Sequence, residues 1–289
     1  MTTGAWKKTV LKFTLIAIVF SWPFMFLVDA WLVYKYSALG NLKMALLVLL
    51  AGHSIAMLGP AIAGFIVQFT DVKKPFPKWQ WGRVKHYLYV VLFFFTAWLI
   101  PAIVGIIMGK FNLQLGLESH YKLYMVIYIF LVPFAGLGEE LGWCSFLLTY
   151  LKPYIGKFRA VVVSGMIRGL WHLPVLLGPH IYKYIKGTES LTTVLIMTLV
   201  LSLQLMISNI FFGAAFNWIW FKTKSSPLLG WSHFVVDLAR DFITIVVVGY
   251  ASSNIAMLAA QLPLILMGAY YLEKLKKEEG IKGLKAYFK

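Results

Sequence analysis

Apolar residues run almost unbroken through this chain, and the polar residues that interrupt them fall in clusters. Runs over 9–34, 44–69, 87–109, 122–151, 159–179, 191–221, 227–250 and 254–272 are each long enough to cross about 30 Å of hydrocarbon as a helix. The pattern predicts an all-α polytopic membrane protein with about eight transmembrane helices, built as one integral-membrane domain over 1–289. The short break Ala251-Ser252-Ser253-Asn254 separates the last two runs. Between the second and third, Asp71 to Trp81 carries Pro75, Pro77, Trp79 and Trp81 and reads as an interfacial segment with an aromatic anchor. Residues 273–289 mix Lys and Glu with apolar positions, the pattern of a basic amphipathic tail on the membrane surface.

Composition agrees with this pattern and removes the soluble classes. Of the residues 60% are apolar and 13% charged, and the mean hydropathy is +0.77. A net charge of +16 would suit nucleic acid in a soluble chain, but in a polytopic one it is the excess of Lys and Arg that cytoplasmic loops carry. Nineteen of the 27 basic residues fall in alternate segments: the N-terminus, 73–85, 152–159, 222–224 and the tail from Lys274. Those segments, and so both termini, are expected to be cytoplasmic, with the lipid bilayer as the principal partner and no nucleic acid. Three lysines precede the first run without a small-residue cleavage site, so it is expected to stay as a first span. The single cysteine, Cys144, rules out an internal disulfide and a zinc-finger spacing.

The chemistry starts at PFAGLGEELGWCSFLLTYL, Pro133 to Leu151, where Glu139 and Glu140 stand inside an apolar run. A charge at that depth costs a few kcal/mol at least, so such residues mark ion, proton or catalytic sites. Setting aside residues near span ends or off that level, the other ionisable residues within spans are Arg168, His172, His233, Asp237, Arg240 and Asp241. Counted from the nearest basic residue at a presumed cytoplasmic end, Glu139, His172 and Asp237 each lie 13 residues in, about 20 Å along a helix, and His233 is one turn shallower. Three helices therefore bring carboxylates and imidazoles to one level, the makings of a polar intramembrane cavity in a core of about 122–250. His233 and Asp237 share a helix face, and Arg240 and Asp241 read as an intrahelical ion-pair set with Asp237.

Two chemistries suit these residues. Glu139 and His172 could hold a water and remove its proton while groups on the seventh span stabilise a tetrahedral oxyanion. Alternatively Glu139, His172 and His233 could bind Zn²⁺, which lowers the pKa of its water, with the other carboxylate as base. No His-Glu-x-x-His is present, so a metal site would be assembled from separate helices. Midplane carboxylates and histidines also build relays, which leaves a proton-coupled transporter as a further reading; inverted repeats, its usual signature, are not visible.

Three stretches carry a resemblance. Glu139-Glu140-Leu141-Gly142-Trp143, Gly169-Leu170-Trp171-His172-Leu173-Pro174 and His233-Phe234-Val235-Val236-Asp237 resemble, in order and spacing, the motifs of the CAAX-protease and bacteriocin-processing (CPBP, or Abi) family, whose members include type II CAAX prenyl proteases. Leu58-Gly59-Pro60-Ala61 is similar to an early Gly-Pro signature of that family. The resemblance implies an intramembrane endopeptidase with a conical cavity open to the cytoplasm, cutting near the C-terminus of prenylated or other membrane-associated proteins. It implies a plasma-membrane location in a prokaryote or the endoplasmic reticulum in a eukaryote. By motif position Glu139 would be the catalytic glutamate, His172 its partner in activating water, and His233 with Asp237 the oxyanion pair. Some relatives are self-immunity proteins, a non-catalytic alternative.

The chain departs from the family pattern twice. An arginine is expected four residues after Glu140, where Cys144 stands, and an aromatic residue four before His172, where Arg168 stands. Cys144 and Arg168 count to nearly the same depth, so Arg168 is expected to supply the missing guanidinium to Glu140 from the neighbouring helix. Asp237, if ionised, cannot donate to an oxyanion; it would have to be protonated, orient His233 or bind metal.

Overall fold

In a computed structural model the chain is described over residues 5–73, 76, 79–109, 119–243 and 254–280. Among the described residues every regular element is helical. The α-helices are α1 Ala5–Phe24, α2 Val33–Ala38, α3 Leu42–Ala56, α4 Gly59–Val67, α5 Val84–Ile107, α6 Ser119–Glu140, α7 Thr149–Trp171, α8 Leu173–Ile185, α9 Leu191–Thr223, α10 Ser226–Phe242 and α11 Asn254–Glu278. Wider π-helical turns over Met25–Leu32, Gln68–Val72 and Leu141–Leu148 continue α1, α4 and α6.

Among the described residues five helical runs are long and apolar enough to cross a membrane: Ala5–Ala38, Leu42–Val72, Val84–Ile107, Lys122–Ile185 and Leu191–Thr223. The expected spans at 122–151 and 159–179 are joined in the 64-residue run Lys122–Ile185. At 1.5 Å per residue that run is about 96 Å, roughly three hydrocarbon thicknesses, so it must fold back. It does so at Gly156, where φ +80 and ψ 170 lie outside the range open to residues with a Cβ. The expected seventh span is the polar 17-residue α10, and its continuation through 244–250 lies outside the described residues. So does most of the tail, 281–289; its first part continues α11 without a break.

Start signals in the sequence set several boundaries. Asn41, Ser190 and Ser225 accept hydrogen bonds from the backbone N–H groups of Met44, Thr193 and Leu228, and Pro227 stands in the first turn of α10. Small residues then bring the site helices together. A Cβ on Gly165 or Gly169 would meet the backbone of α9 within 2.6 and 2.4 Å, and one on Gly230 would meet Leu137 at 2.8 Å. These close crossings seat α7 on α9 and α10 on α6, the packing expected where lipid replaces water as solvent. The core between them is aromatic: Trp143 lies edge-on to Phe13 at 5.5 Å and to Trp171 at 5.6 Å.

Both described chain ends lie on one face of the bundle, where they meet the start of α7. Trp6 stacks on Tyr154, and Glu279 accepts hydrogen bonds from the backbone N–H groups of Lys157 and, at 3.1 Å, Phe158. Lys152, Lys157 and Lys224 gather over the ring of Phe221 on this same face.

Candidate active site

Glu139 and Glu140 end α6, Arg168 and His172 lie on the last turn of α7 and just past it, and His233 and Asp237 stand one turn apart on α10. The three helices bring all six expected residues into one constellation. Glu139 and Glu140 are wholly buried, Arg168 is 3% and His233 5% exposed.

The donors and acceptors there can be assigned one by one. Arg168 Nη2 lies 3.2 Å from Glu139 Oε2 and 3.0 Å from Glu140 Oε1. Its two hydrogens are taken by these two carboxylates, so the nearby Nδ1 of His233 keeps its own hydrogen and donates it to Glu140 Oε1 at 3.0 Å. The other Glu140 oxygen accepts from the Cys144 thiol at 3.0 Å. Arg168 also lies over the rings of Phe212 and Phe216 at 5.8 and 5.6 Å, a cation–π setting for a buried guanidinium. The guanidinium thus reaches Glu140 from the neighbouring helix, and reaches Glu139 as well, a contact that depth counting does not anticipate.

Glu139 is held differently. Its Oε2 accepts from Trp143 Nε1 and Arg168, both at 3.2 Å, while Oε1 has no hydrogen-bond partner among the described residues. That bare oxygen faces His172 Nε2 at 3.8 Å and His233 Nε2 at 4.0 Å. His172 Nδ1 lies 2.8 Å from the Arg168 carbonyl, which can only accept, so Nδ1 carries the hydrogen and Nε2 presents a lone pair. Two acceptors therefore face each other 3.8 Å apart, the Glu139 oxygen buried and the His172 side chain 24% exposed. Trp22 Nε1 donates to the Trp171 carbonyl at 3.1 Å, tying α1 to the residue before His172.

On α10, His233 Nε2 is 3.4 Å from Asp237 Oδ2. Arg240 Nη1 holds the other Asp237 oxygen at 2.8 Å, and its Nε holds Asp241 at 2.7 Å, the ion-pair set that the spacing suggests. Asp237 therefore both orients His233 and is itself oriented by Arg240.

One contributor was not legible in the sequence. Asn217 on α9 brings Oδ1 to 3.1 Å from the Cys144 thiol; a single asparagine in a long apolar run carries no signal of what it faces.

For a metal, ligand atoms of Glu139, Glu140 and His233 lie within 4.8 Å of one another. In that trio Glu140 Oε1 is already shared by His233 Nδ1 and Arg168. The set expected from the sequence, Glu139, His172 and His233, offers the bare Glu139 Oε1 and two Nε2 atoms, and its donor chemistry fits Zn²⁺.

The segment that carries these residues is similar to known proteins. Residues 121–239 match the family model described as type II CAAX prenyl endopeptidase Rce1-like. CAAX prenyl protease 2 of Methanococcus maripaludis is 25% identical over 118 residues, which are 40% of this chain and 41% of that protein. The match thus spans about two fifths of that curated relative. All three motifs, and the six residues they position, lie inside the matched segment. Through that segment the chain is similar to type II CAAX prenyl endopeptidases.

Proposed function

We propose that the chain is an intramembrane endopeptidase in which Glu139 and His172 activate a water against a peptide bond, within one integral-membrane domain whose core is about 122–250. One observation carries this reading: the buried Glu139 Oε1, without a hydrogen-bond partner, faces a lone pair on His172 Nε2 whose tautomer the Arg168 carbonyl sets. Two acceptors 3.8 Å apart suit one water, which can donate a hydrogen to each and turn an oxygen lone pair toward substrate.

The steps then balance. The water oxygen attacks the carbonyl carbon as Glu139 takes its proton; the C–O bond forms and the carbonyl electrons move onto oxygen. His233, with Nδ1 on Glu140 and Nε2 3.4 Å from Asp237 and 4.0 Å from Glu139 Oε1, is as an imidazolium the candidate donor to that oxyanion. As the C–N bond breaks, Glu139 returns the proton to the departing amine. Arg168 stays out of the bond changes and holds both glutamates in place. Zn²⁺, if bound by Glu139, His172 and His233, would supply Lewis acidity and a water of lowered pKa at the same point.

The proposed substrate is a prenylated CAAX-type or other membrane-associated protein, cut near its C-terminus, with both ends of this chain on the cytoplasmic side. The test is cleavage of a quenched-fluorescence peptide, prenylated or not, by the purified protein with and without a zinc chelator. Cleavage that survives chelation supports the glutamate-water route. Loss on chelation with recovery on adding Zn²⁺ assigns the metal set, and no cleavage of either peptide counts against the peptidase.

A further inference from the structure

The face opposite the chain ends holds a feature unrelated to the peptidase chemistry. Lys35 lies in the last turn of α2, at the end of the run Ala5–Ala38, and Lys186 follows Ile185, the last residue of the run Lys122–Ile185. With Trp31 and Tyr182 they line a hollow of about 260 Å³. A second hollow of about 500 Å³ shares Trp31 and Tyr182 and continues along Pro23, Leu27, Gly178 and Ile181. The first carries two lysines and the second is lined almost entirely by apolar groups.

Charge makes the mouth specific. Lys186 Nζ lies over the rings of Trp31 and Tyr182 at 5.9 and 5.8 Å, and neither Lys35 nor Lys186 has an ion-pair partner among the described residues. The acid close by in sequence, Glu189, is already engaged by His180 at 2.9 Å and Lys183 at 3.2 Å. The His180 hydrogen bond in particular holds its carboxyl below the usual range. Glu189 is thus committed elsewhere, and the two ammonium groups at the mouth are left to bind an anion.

Depth completes the match. Pro23 is 12 residues inward from Lys35 and Gly178 eight inward from Lys186, about 18 and 12 Å along helices. Half of a hydrocarbon core is about 15 Å. The apolar slot therefore runs the depth of one leaflet, from a cationic mouth at the span ends. An amphiphile with an anionic head and a hydrocarbon chain satisfies both parts, whereas a soluble anion satisfies only the mouth.

We propose that this slot binds one anionic phospholipid of the adjoining leaflet, its phosphate between Lys35 and Lys186 and one acyl chain along α8. The inner end of the slot, Pro23, adjoins Trp22, which donates to the Trp171 carbonyl next to His172. A bound lipid would brace α1 and α8 on either side of that link.

The test is native mass spectrometry of the full chain in detergent with equimolar phosphatidylglycerol and phosphatidylcholine. Wild type should retain phosphatidylglycerol roughly thirtyfold over phosphatidylcholine, since each of the two lysines near an anionic head contributes about 1 kcal/mol. Lys35→Gln with Lys186→Gln should abolish the preference, and each single change should weaken it, which keeps a readout if the double variant folds poorly. Leu27→Trp, which fills the slot, should lower retention of both lipids. Equal retention by wild type, an unchanged preference in the double variant, or competition by glycerol phosphate as effective as by the full lipid would overturn the proposal.

Discussion

Glu139 and Glu140 are neighbours in sequence with different surroundings. Both oxygens of Glu140 are bonded, by Arg168, His233 and Cys144, so it is a fixed counter-charge. Glu139 shares Arg168 but keeps one oxygen for chemistry. Removing Arg168 would leave two buried carboxylates facing each other without a cation, and breaking a buried pair in this way costs about 3–5 kcal/mol. Arg168→Ala is therefore expected to lower the unfolding temperature in detergent and abolish cleavage. Cys144→Arg combined with Arg168→Phe should recover both, because an arginine four residues after Glu140 reaches it along the same helix. If the double change recovers neither, the idea that Arg168 stands in for an arginine at position 144 fails. This pairing was legible because Arg168 and Cys144 count to one depth from cytoplasmic basic residues; the Asn217 contact was not, since nothing in the 33-residue α9 marks which face meets Cys144.

At the scale of elements, α7 is the part that must be held still, since Arg168 and His172 lie at its far end. Its near end is a kink at Gly156 followed by backbone N–H groups that the helix itself leaves unpaired. Glu279, from the end of α11, accepts from two of them and caps the helix across the bundle. Glu279→Ala is expected to cost about 1 kcal/mol, the usual worth of an N-terminal cap. Gly156→Ala should cost about 1–3 kcal/mol, because alanine is strained at that φ and its Cβ would press on the Glu279 carboxylate at 3.0 Å. Thermal unfolding of the two single variants and the double variant checks this, with non-additive losses expected from groups in contact. Hydropathy placed a turn between the runs 122–151 and 159–179, and the Gly156 kink falls within it; the left-handed φ that makes the kink could not be read there. The tail cap was equally hidden: an amphipathic pattern gives the face of a helix, not its partner.

For the whole molecule, the helical membrane class was plain in composition and run length, and the shared level of the polar residues followed from counting residues along helices. The number of crossings did not follow as directly, because π-helical turns and the Gly156 fold-back change how much bilayer a given run covers. Both described chain ends meet the start of α7, so they share a face. The basic residues gathered there argue that this face is cytoplasmic. Introduced cysteines read this out cleanly, since the native Cys144 is buried. In sealed right-side-out vesicles Gly187→Cys should react with a membrane-impermeant maleimide, whereas Gly280→Cys should react only after permeabilisation; the reverse pattern would invert the topology.

The account turns on the bare oxygen of Glu139. The most direct measurement is kcat on the quenched-fluorescence peptide for wild type and Glu139→Gln, with unfolding temperature recorded on the same samples. Glutamine keeps the shape and can still accept from Trp143 and Arg168, but it cannot take a proton from water. A fall in kcat of about 10²–10⁴-fold is predicted, at an unfolding temperature close to that of wild type. Turnover by Glu139→Gln at the wild-type rate would contradict the account.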